Sequence, residues 1–161
     1  DNELPIGESG ELVIRSLEPA IMASKYIGMP EETAKAWRKS WFHTGDFAKL
    51  DDEGNLYWLA RMSERIRVKG EMVSAYEIEE SIFTHPSVTD CAVIGIPDGK
   101  GEEQVKAFIT LKENKTLTLE ELRLFCAPII SRFMNPTSLE VLQEMPRTQT
   151  GKPAKAELQK K

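Results

Sequence analysis

Arg61-Met62-Ser63-Glu64-Arg65-Ile66-Arg67-Val68-Lys69-Gly70-Glu71 is the stretch at which the pattern of this chain changes. Upstream, residues 4–60 read mostly as β. Leu12-Val13-Ile14 is a short apolar run following Gly10. Phe47-Ala48-Lys49-Leu50 and Leu56-Tyr57-Trp58-Leu59 flank Asp51-Asp52-Glu53-Gly54-Asn55, a hairpin-turn composition. A helix is expected over residues 30–39, with Pro30 at its first position and Glu31 and Glu32 in its first turn. Downstream the reading is α+β. Residues 65–73 alternate as a second hairpin. Residues 76–84 put Ile78, Ile82 and Phe83 on one helical face, with Pro86 beyond the end. Residues 91–96 and 105–111 are strands on either side of a Pro-Asp-Gly-Lys-Gly loop. Thr118 and Glu121 make a capping box for a helix carrying Leu122, Phe125 and Cys126. A strand over residues 139–142 and a helix over residues 154–160 follow. The predicted fold class is α+β: a mainly β segment, residues 1–62, then a small α+β domain, residues 63–161, with the boundary near Ser63.

The 161 residues suffice for one domain or two small ones. A hydrophobic share of 40% and a charged share of 29% are those of an ordinary globular chain. The net charge of −5 argues against nucleic acid as the main partner. No apolar run approaches the ~20 residues of a membrane span, and no signal-peptide pattern is present. Cys91 and Cys126 lack metal-ligand spacing and sit in apolar contexts, which predicts two buried thiols and suits a reducing cytoplasm. No metal site is predicted. The chain starts at Asp1 and enters a strand pattern almost at once, so it is expected to be a piece of something longer.

Three segments carry candidate chemistry, each with a plainer reading beside it. Asp46, in His43-Thr44-Gly45-Asp46, suits a turn aspartate that bonds its own backbone. A hairpin that brings Arg61 back beside it favours instead a carboxylate holding a ribose diol. His43 and His85 have no nearby nucleophile or metal partner and read as structural. Arg61, Arg65, Arg67 and Lys69 suit a solvated strand edge. They also suit an anion site, since their spacing puts them on one face of an extended strand and Gly70 permits close backbone approach. Thr150-Gly151-Lys152 is not a phosphate-binding P-loop, because Pro146 and Pro153 stand where that motif needs Gly and Ser or Thr. Alone, Lys152 reads as an exposed surface cation.

Taken in order, these segments resemble the adenylate-forming superfamily of acyl-CoA synthetases, luciferases and peptide-synthetase adenylation domains. The likeness runs over essentially the whole chain. It rests on Gly7-Glu8, Trp41 with Thr44-Gly45-Asp46, Arg61, Arg67 with Gly70-Glu71, Glu77-Ile78-Glu79, and Pro146-Arg147-Thr148 with Thr150-Gly151-Lys152. Ser24-Lys25-Tyr26 and Val73-Ser74 are similar to crotonobetaine/carnitine–CoA ligases. The resemblance implies that residues 1–62 end a large adenylation domain and residues 63–161 form a mobile C-terminal domain hinged at Ser63. It implies an ATP-dependent ligase that converts a carboxylate to acyl-AMP and passes it to coenzyme A. Lys152 would be catalytic, Asp46 and Arg61 would bind ATP/AMP, and Arg67, Lys69 and Gly70 would face coenzyme A. Mg2+ would be held by residues outside this chain, and the 161 residues alone would be inactive and prone to self-association. The chain departs from the family pattern at Ala60, Ser63, Arg67 and Met134. The alternatives are a synthetase passing acyl-AMP to a carrier protein or amine, and a non-catalytic nucleotide- or anion-binding module.

Overall fold

The structure, a computed structural model, describes residues 2–160. They fall into two compact units that divide between Ser63 and Glu64.

The first unit is a four-stranded antiparallel sheet with one short helix. Its strands are β1 (Ser9–Ile14), β2 (Trp37–Arg38), β3 (Trp41–Leu50) and β4 (Leu56–Arg61), and its helix is α1 (Pro30–Ala36). β3 pairs with β1 along one side. On its other side it pairs with β2 near its start and with β4 from Asp46 onward. The helix expected to reach residue 39 stops at Ala36. Trp37 and Arg38 pair with Phe42 and Trp41 instead, and Lys39 and Ser40 take left-handed φ values of 48° and 68° to make the reversal. The turn between β3 and β4 is built by Asp51, whose Oδ1 accepts the N–H groups of Glu53 at 3.0 Å and Asn55 at 2.8 Å. Gly54 closes it at φ 82°, a conformation that costs glycine little.

The second unit has a two-stranded hairpin and a three-stranded mixed sheet. The hairpin joins β5 (Arg65–Val68) and β6 (Glu71–Ser74), and α2 (Ala75–Phe83) follows directly. β7 (Val88–Pro97) pairs antiparallel with β8 (Glu103–Leu111), which pairs parallel with β9 (Ser138–Val141). The connection from β8 to β9 contains α3 (Leu119–Cys126), and α4 (Lys155–Leu158) follows β9. The Thr118 hydroxyl accepts the Glu121 N–H while the Glu121 carboxylate accepts the Thr118 N–H, so both halves of the capping box form.

Alternation along β7 and β8 sends side chains to two cores. Cys91, Val93, Val105, Ala107 and Ile109 cluster with Ile66 and Val68 of β5, Ile78 and Ile82 of α2, and Leu122 of α3. Ala92, Ile94 and Phe108 cluster with Met145 and with Leu158 of α4 on the opposite face. Each fully buried Ile, Leu or Phe contributes about 1.5–3 kcal/mol relative to exposure. The cysteines are free and buried, and burial pushes the Cys91 thiol up to about 12. No described helix is long and apolar enough to cross a membrane.

Candidate functional site

Asp46 owes its position to an irregularity in β3. Glu11 of β1 pairs with Phe47 and Val13 pairs with His43, so Leu12 alone faces Thr44, Gly45 and Asp46. This bulge leaves backbone groups to be satisfied locally. The Thr44 hydroxyl donates to the Leu12 carbonyl at 2.8 Å and accepts the Asp46 N–H at 3.0 Å. Gly45 takes φ 72°, and a Cβ there would stand 3.9 Å from the Arg61 guanidinium carbon. The bulge also lies in the gap along β3 between its β2 and β4 pairings. Arg61 fills that gap from the end of β4. Its Nη1 donates to the Thr44 carbonyl at 2.9 Å and to Asp46 Oδ1 at 2.7 Å.

The Asp46 carboxyl feels burial, which raises its pKa. Hydrogen bonds from Arg61, Trp58 and Thr44, with the Arg61 charge, outweigh that and hold it below the usual value of 3.8. It is therefore an anion at neutral pH, three-quarters shielded but still reachable, with a side-chain exposure of 24%. Ionised carboxylates only accept hydrogen bonds, and Arg61 leaves acceptor positions on Asp46 open for hydroxyl donors.

In the second unit, the expected basic face is not one strand. Arg61 ends β4, a short 3-10 turn over Met62–Glu64 intervenes, and β5 holds only Arg65 and Arg67. Lys69 and Gly70 form the two-residue hairpin turn, with φ 52° and 83°. Positive φ at both positions is the turn geometry that matches strand twist, so Gly70 is required by the reversal itself. Two glutamates hold this edge. Glu103 accepts the Arg67 N–H at 2.8 Å, and Glu102 accepts the Gly70 N–H at 3.0 Å while its Oε1 lies 3.7 Å from Arg67 Nε.

Lys152 sits on a closed loop elsewhere in the same unit. Arg147 and Pro153 form an antiparallel bridge. Within it the Thr148 N–H donates to the Lys152 carbonyl at 2.8 Å, and the Gly151 N–H to the Thr148 carbonyl at 2.9 Å. Arg147 braces the loop, donating to the Gly151 carbonyl at 2.7 Å and pairing with Asp90 on β7. Lys152 is exposed, and its ammonium has no hydrogen-bond or ion-pair partner among the described residues.

These two edges lie at opposite ends of β7. Asp90 holds the Lys152 loop near its start, while Glu103, the partner of Pro97, holds the Arg67 edge at its finish. Seven residues of extended chain separate Asp90 from Pro97, or roughly 23 Å at ~3.3 Å per residue.

The structure thus brings Asp46 and Arg61 together, puts Arg67, Lys69 and Gly70 on one hairpin, and sets Lys152 apart. It adds residues that the sequence reading missed: Thr44 and Trp58 around Asp46, Arg147 with Asp90 behind Lys152, and Glu102 and Glu103 beneath the hairpin. Thr44 and Arg147 stand inside the motifs they support, but no spacing marks Trp58, Asp90, Glu102 or Glu103. Both histidines are internal ligands of the fold. His43 is buried against Glu11, with 2.8 Å between Nδ1 and Oε2. His85 meets the Phe125 ring edge-on at 4.6 Å. Among the described residues no group of three or more His, Cys, Asp or Glu could hold a metal ion.

The sequence and fold have counterparts in known proteins. Residues 77–152 match the AMP-binding enzyme C-terminal domain. The chain belongs to the adenylate-forming, AMP-binding enzymes. It is 40% identical over 159 residues to a crotonobetaine/carnitine–CoA ligase of Citrobacter koseri, covering 98% of this chain and 31% of that one. A ligase of the same name from Salmonella arizonae is 38% identical over 156 residues, covering 96% and 30%. Among solved structures, o-succinylbenzoate CoA synthetase from Bacillus subtilis with its acyl-adenylate intermediate matches with a TM-score of 0.84 at 28% identity, covering 96% of this chain and 31% of that one. An amide bond synthetase from Marinactinospora thermotolerans matches with a TM-score of 0.82 at 30% identity, covering 99% and 32%. The chain spans about a third of the length of the curated relatives it matches.

Proposed function

We propose that this chain is the C-terminal part of an acid–CoA ligase that forms acyl-AMP from a carboxylate and ATP, then transfers the acyl group to coenzyme A. The observation that carries the reading is the pairing of ionised Asp46 with Arg61 in the β3 bulge. Asp46 accepts hydrogen bonds from the ribose hydroxyls, and Arg61 keeps the carboxylate charged and aimed. Residues up to Ser63 end the large domain, and those from Glu64 form a mobile domain hinged at Ser63.

Lys152 supplies positive charge during adenylation. When the carboxylate attacks, negative charge grows on the α-phosphate oxygens, and a cation placed there favours the transition state over the ground state. A long, exposed lysine on a braced loop, with no hydrogen-bond or ion-pair partner among the described residues, can reach a ligand without breaking such a contact. Rotation of the second domain then withdraws it and presents Arg67, Lys69 and Gly70 to coenzyme A, whose phosphates suit Arg67 and Lys69. The carnitine-related relatives, about 40% identical over nearly the whole chain, support a small carboxylate such as crotonobetaine or carnitine as substrate. The work is that of a cytoplasmic enzyme, and magnesium accompanies ATP on residues outside this chain.

Pyrophosphate exchange and thioester formation by the full-length protein, each with and without coenzyme A, test the reading. Exchange that needs the carboxylate, with thioester appearing only when coenzyme A is added, is expected. A second reading has a specific support: the amide bond synthetase similar in fold at 30% identity. Under it an amine accepts the acyl group, and the same assay with amines in place of coenzyme A yields an amide.

A further inference from the structure

Three residues beyond Lys152, the chain enters α4 with Lys155. The Lys155 side chain is one-fifth exposed and faces two carboxylates, with Nζ 2.6 Å from Glu64 Oε2 and 2.8 Å from Glu79 Oε1. Glu79 Oε1 also accepts the Val93 N–H at 2.7 Å, and the Glu79 carbonyl accepts the Cys91 thiol at 3.3 Å. Glu79 is thus fastened to β7, while Glu64 is the first residue of the second unit. One ammonium joins the exit of the Lys152 loop, the sheet-backed helix α2, and the residue next to Ser63.

Stability alone explains this poorly. Taking charges out of water costs several kcal/mol per ion, and apolar replacements of buried ion pairs are often neutral or stabilising. That cost falls on Lys155 and Glu79, whose side chains are 20% and 17% exposed, while Glu64, at 39%, shares the same ammonium from the surface. Burial pushes the Glu79 carboxyl up despite Lys155, and the two carboxylates hold Lys155 above its ordinary value despite burial. Such a site is better suited to fixing geometry than to holding the fold together. The geometry it fixes is that of Lys152. The loop over residues 147–152 is braced at its entrance by Arg147 on Asp90. Its exit is braced by Lys155.

We propose that Lys155 is a positioning residue that holds the Lys152 loop in register with Glu64 at the unit boundary. The inference rests on the role proposed for Lys152, and adds that the cation's placement is tied to the link between the units. Glu64 is the informative member. Removing its charge leaves Lys155 paired with Glu79, a balanced site that keeps α4 on α2, while cutting the tie to the boundary.

In the full-length protein, Glu64→Gln, Lys155→Met, Lys155→Arg and Lys152→Ala are compared by pyrophosphate exchange and thermal unfolding. Lys155→Met and Glu64→Gln are expected to lower the kcat of exchange about 10–100-fold, the cost of misplacing a reacting group by ~1 Å. The KM for ATP stays within about twofold because Asp46 is untouched, a split that follows from losing a transition-state contact alone. Lys155→Arg restores most of the rate, and Glu64→Gln unfolds at the wild-type temperature. If Lys155→Met fails to fold, Glu64→Gln carries the test. Wild-type kcat in Glu64→Gln, beside a strong loss in Lys152→Ala, overturns the positioning role alone. Wild-type exchange in Lys152→Ala overturns the reading of Lys152 and this inference with it.

Discussion

Asp46 and Arg61 are cross-strand partners on β3 and β4, and the 2.7 Å bond between their side chains sits at the last paired position before the stretch where β3 has no backbone neighbour on that side. The pair serves the fold and the proposed site together. Asp46→Asn in the full-length protein is therefore expected to raise the KM for ATP about 10–100-fold, since hydrogen bonds to charged groups are worth ~1.5–3 kcal/mol. The kcat should change less, because a ribose contact is the same in ground and transition states. Steady-state kinetics with ATP varied decide this.

Lys152→Ala is expected to depress acyl-AMP formation by ~10²–10³, the usual cost of losing one donor at a developing charge. The ammonium has no hydrogen-bond or ion-pair partner among the described residues, so unfolding temperature should not move. Pyrophosphate exchange near the wild-type rate would remove Lys152 from the chemistry.

Arg67→Ala is expected to spare acyl-AMP formation and slow thioester formation. The substitution removes the guanidinium facing Glu102 at 3.7 Å but leaves the backbone bond to Glu103 that holds the hairpin. Single-turnover measurement of each half-reaction separates the two steps. A loss confined to adenylation would reverse the assignment of the two ends of the sheet.

The Cys91 thiol, pushed up to about 12 chiefly by burial, stays protonated at pH 8 and buried under α2. Cys126 is raised in the same direction, again by burial. Thiolate is the nucleophile, so neither cysteine should react with iodoacetamide while the fold is intact, and both should react in urea. Mass spectrometry of alkylated peptides reads the result.

Glu79 gives a pH dependence of definite sign. Burial raises its folded pKa above 4.5, so its contribution to stability is fully present below 4.5 and is lost as pH rises through the folded value. Glu79→Gln should flatten that slope. Urea unfolding of both forms between pH 4 and pH 8, in steps of about one unit, measures it. Asp46, whose folded pKa is lowered, acts oppositely: its contribution is present above 3.8 and is lost as pH falls through the folded value.

Much of the fold was legible because its signals are local. The capping box needs only Thr118 and Glu121. The turn chemistry of residues 51–55 sets the hairpin, and the hairpin brings Arg61 to Asp46. What was not legible depends on partners distant in sequence. α1 ends early because Trp37 and Arg38 find pairing positions on β3, a gain that no helical propensity reveals. The basic run is broken after Arg61 by the short 3-10 turn over Met62–Glu64, which period-two spacing cannot foresee. Lys155 lies far along the chain from Glu64 and Glu79, and only the packing of α4 against the sheet brings them together.

The roughly 23 Å along β7 between Asp90 and Pro97 also bears on how this chain can change. Substitutions more than ~7–10 Å apart that share no partners usually act additively. Among the described residues no hydrogen bond or ion pair joins the Lys152 loop to the Arg67 hairpin, so each can drift while the other is held. A double variant of Lys152 and Arg67 should show folding energies that simply sum, and a library randomised at the hairpin turn should leave the loop's geometry untouched.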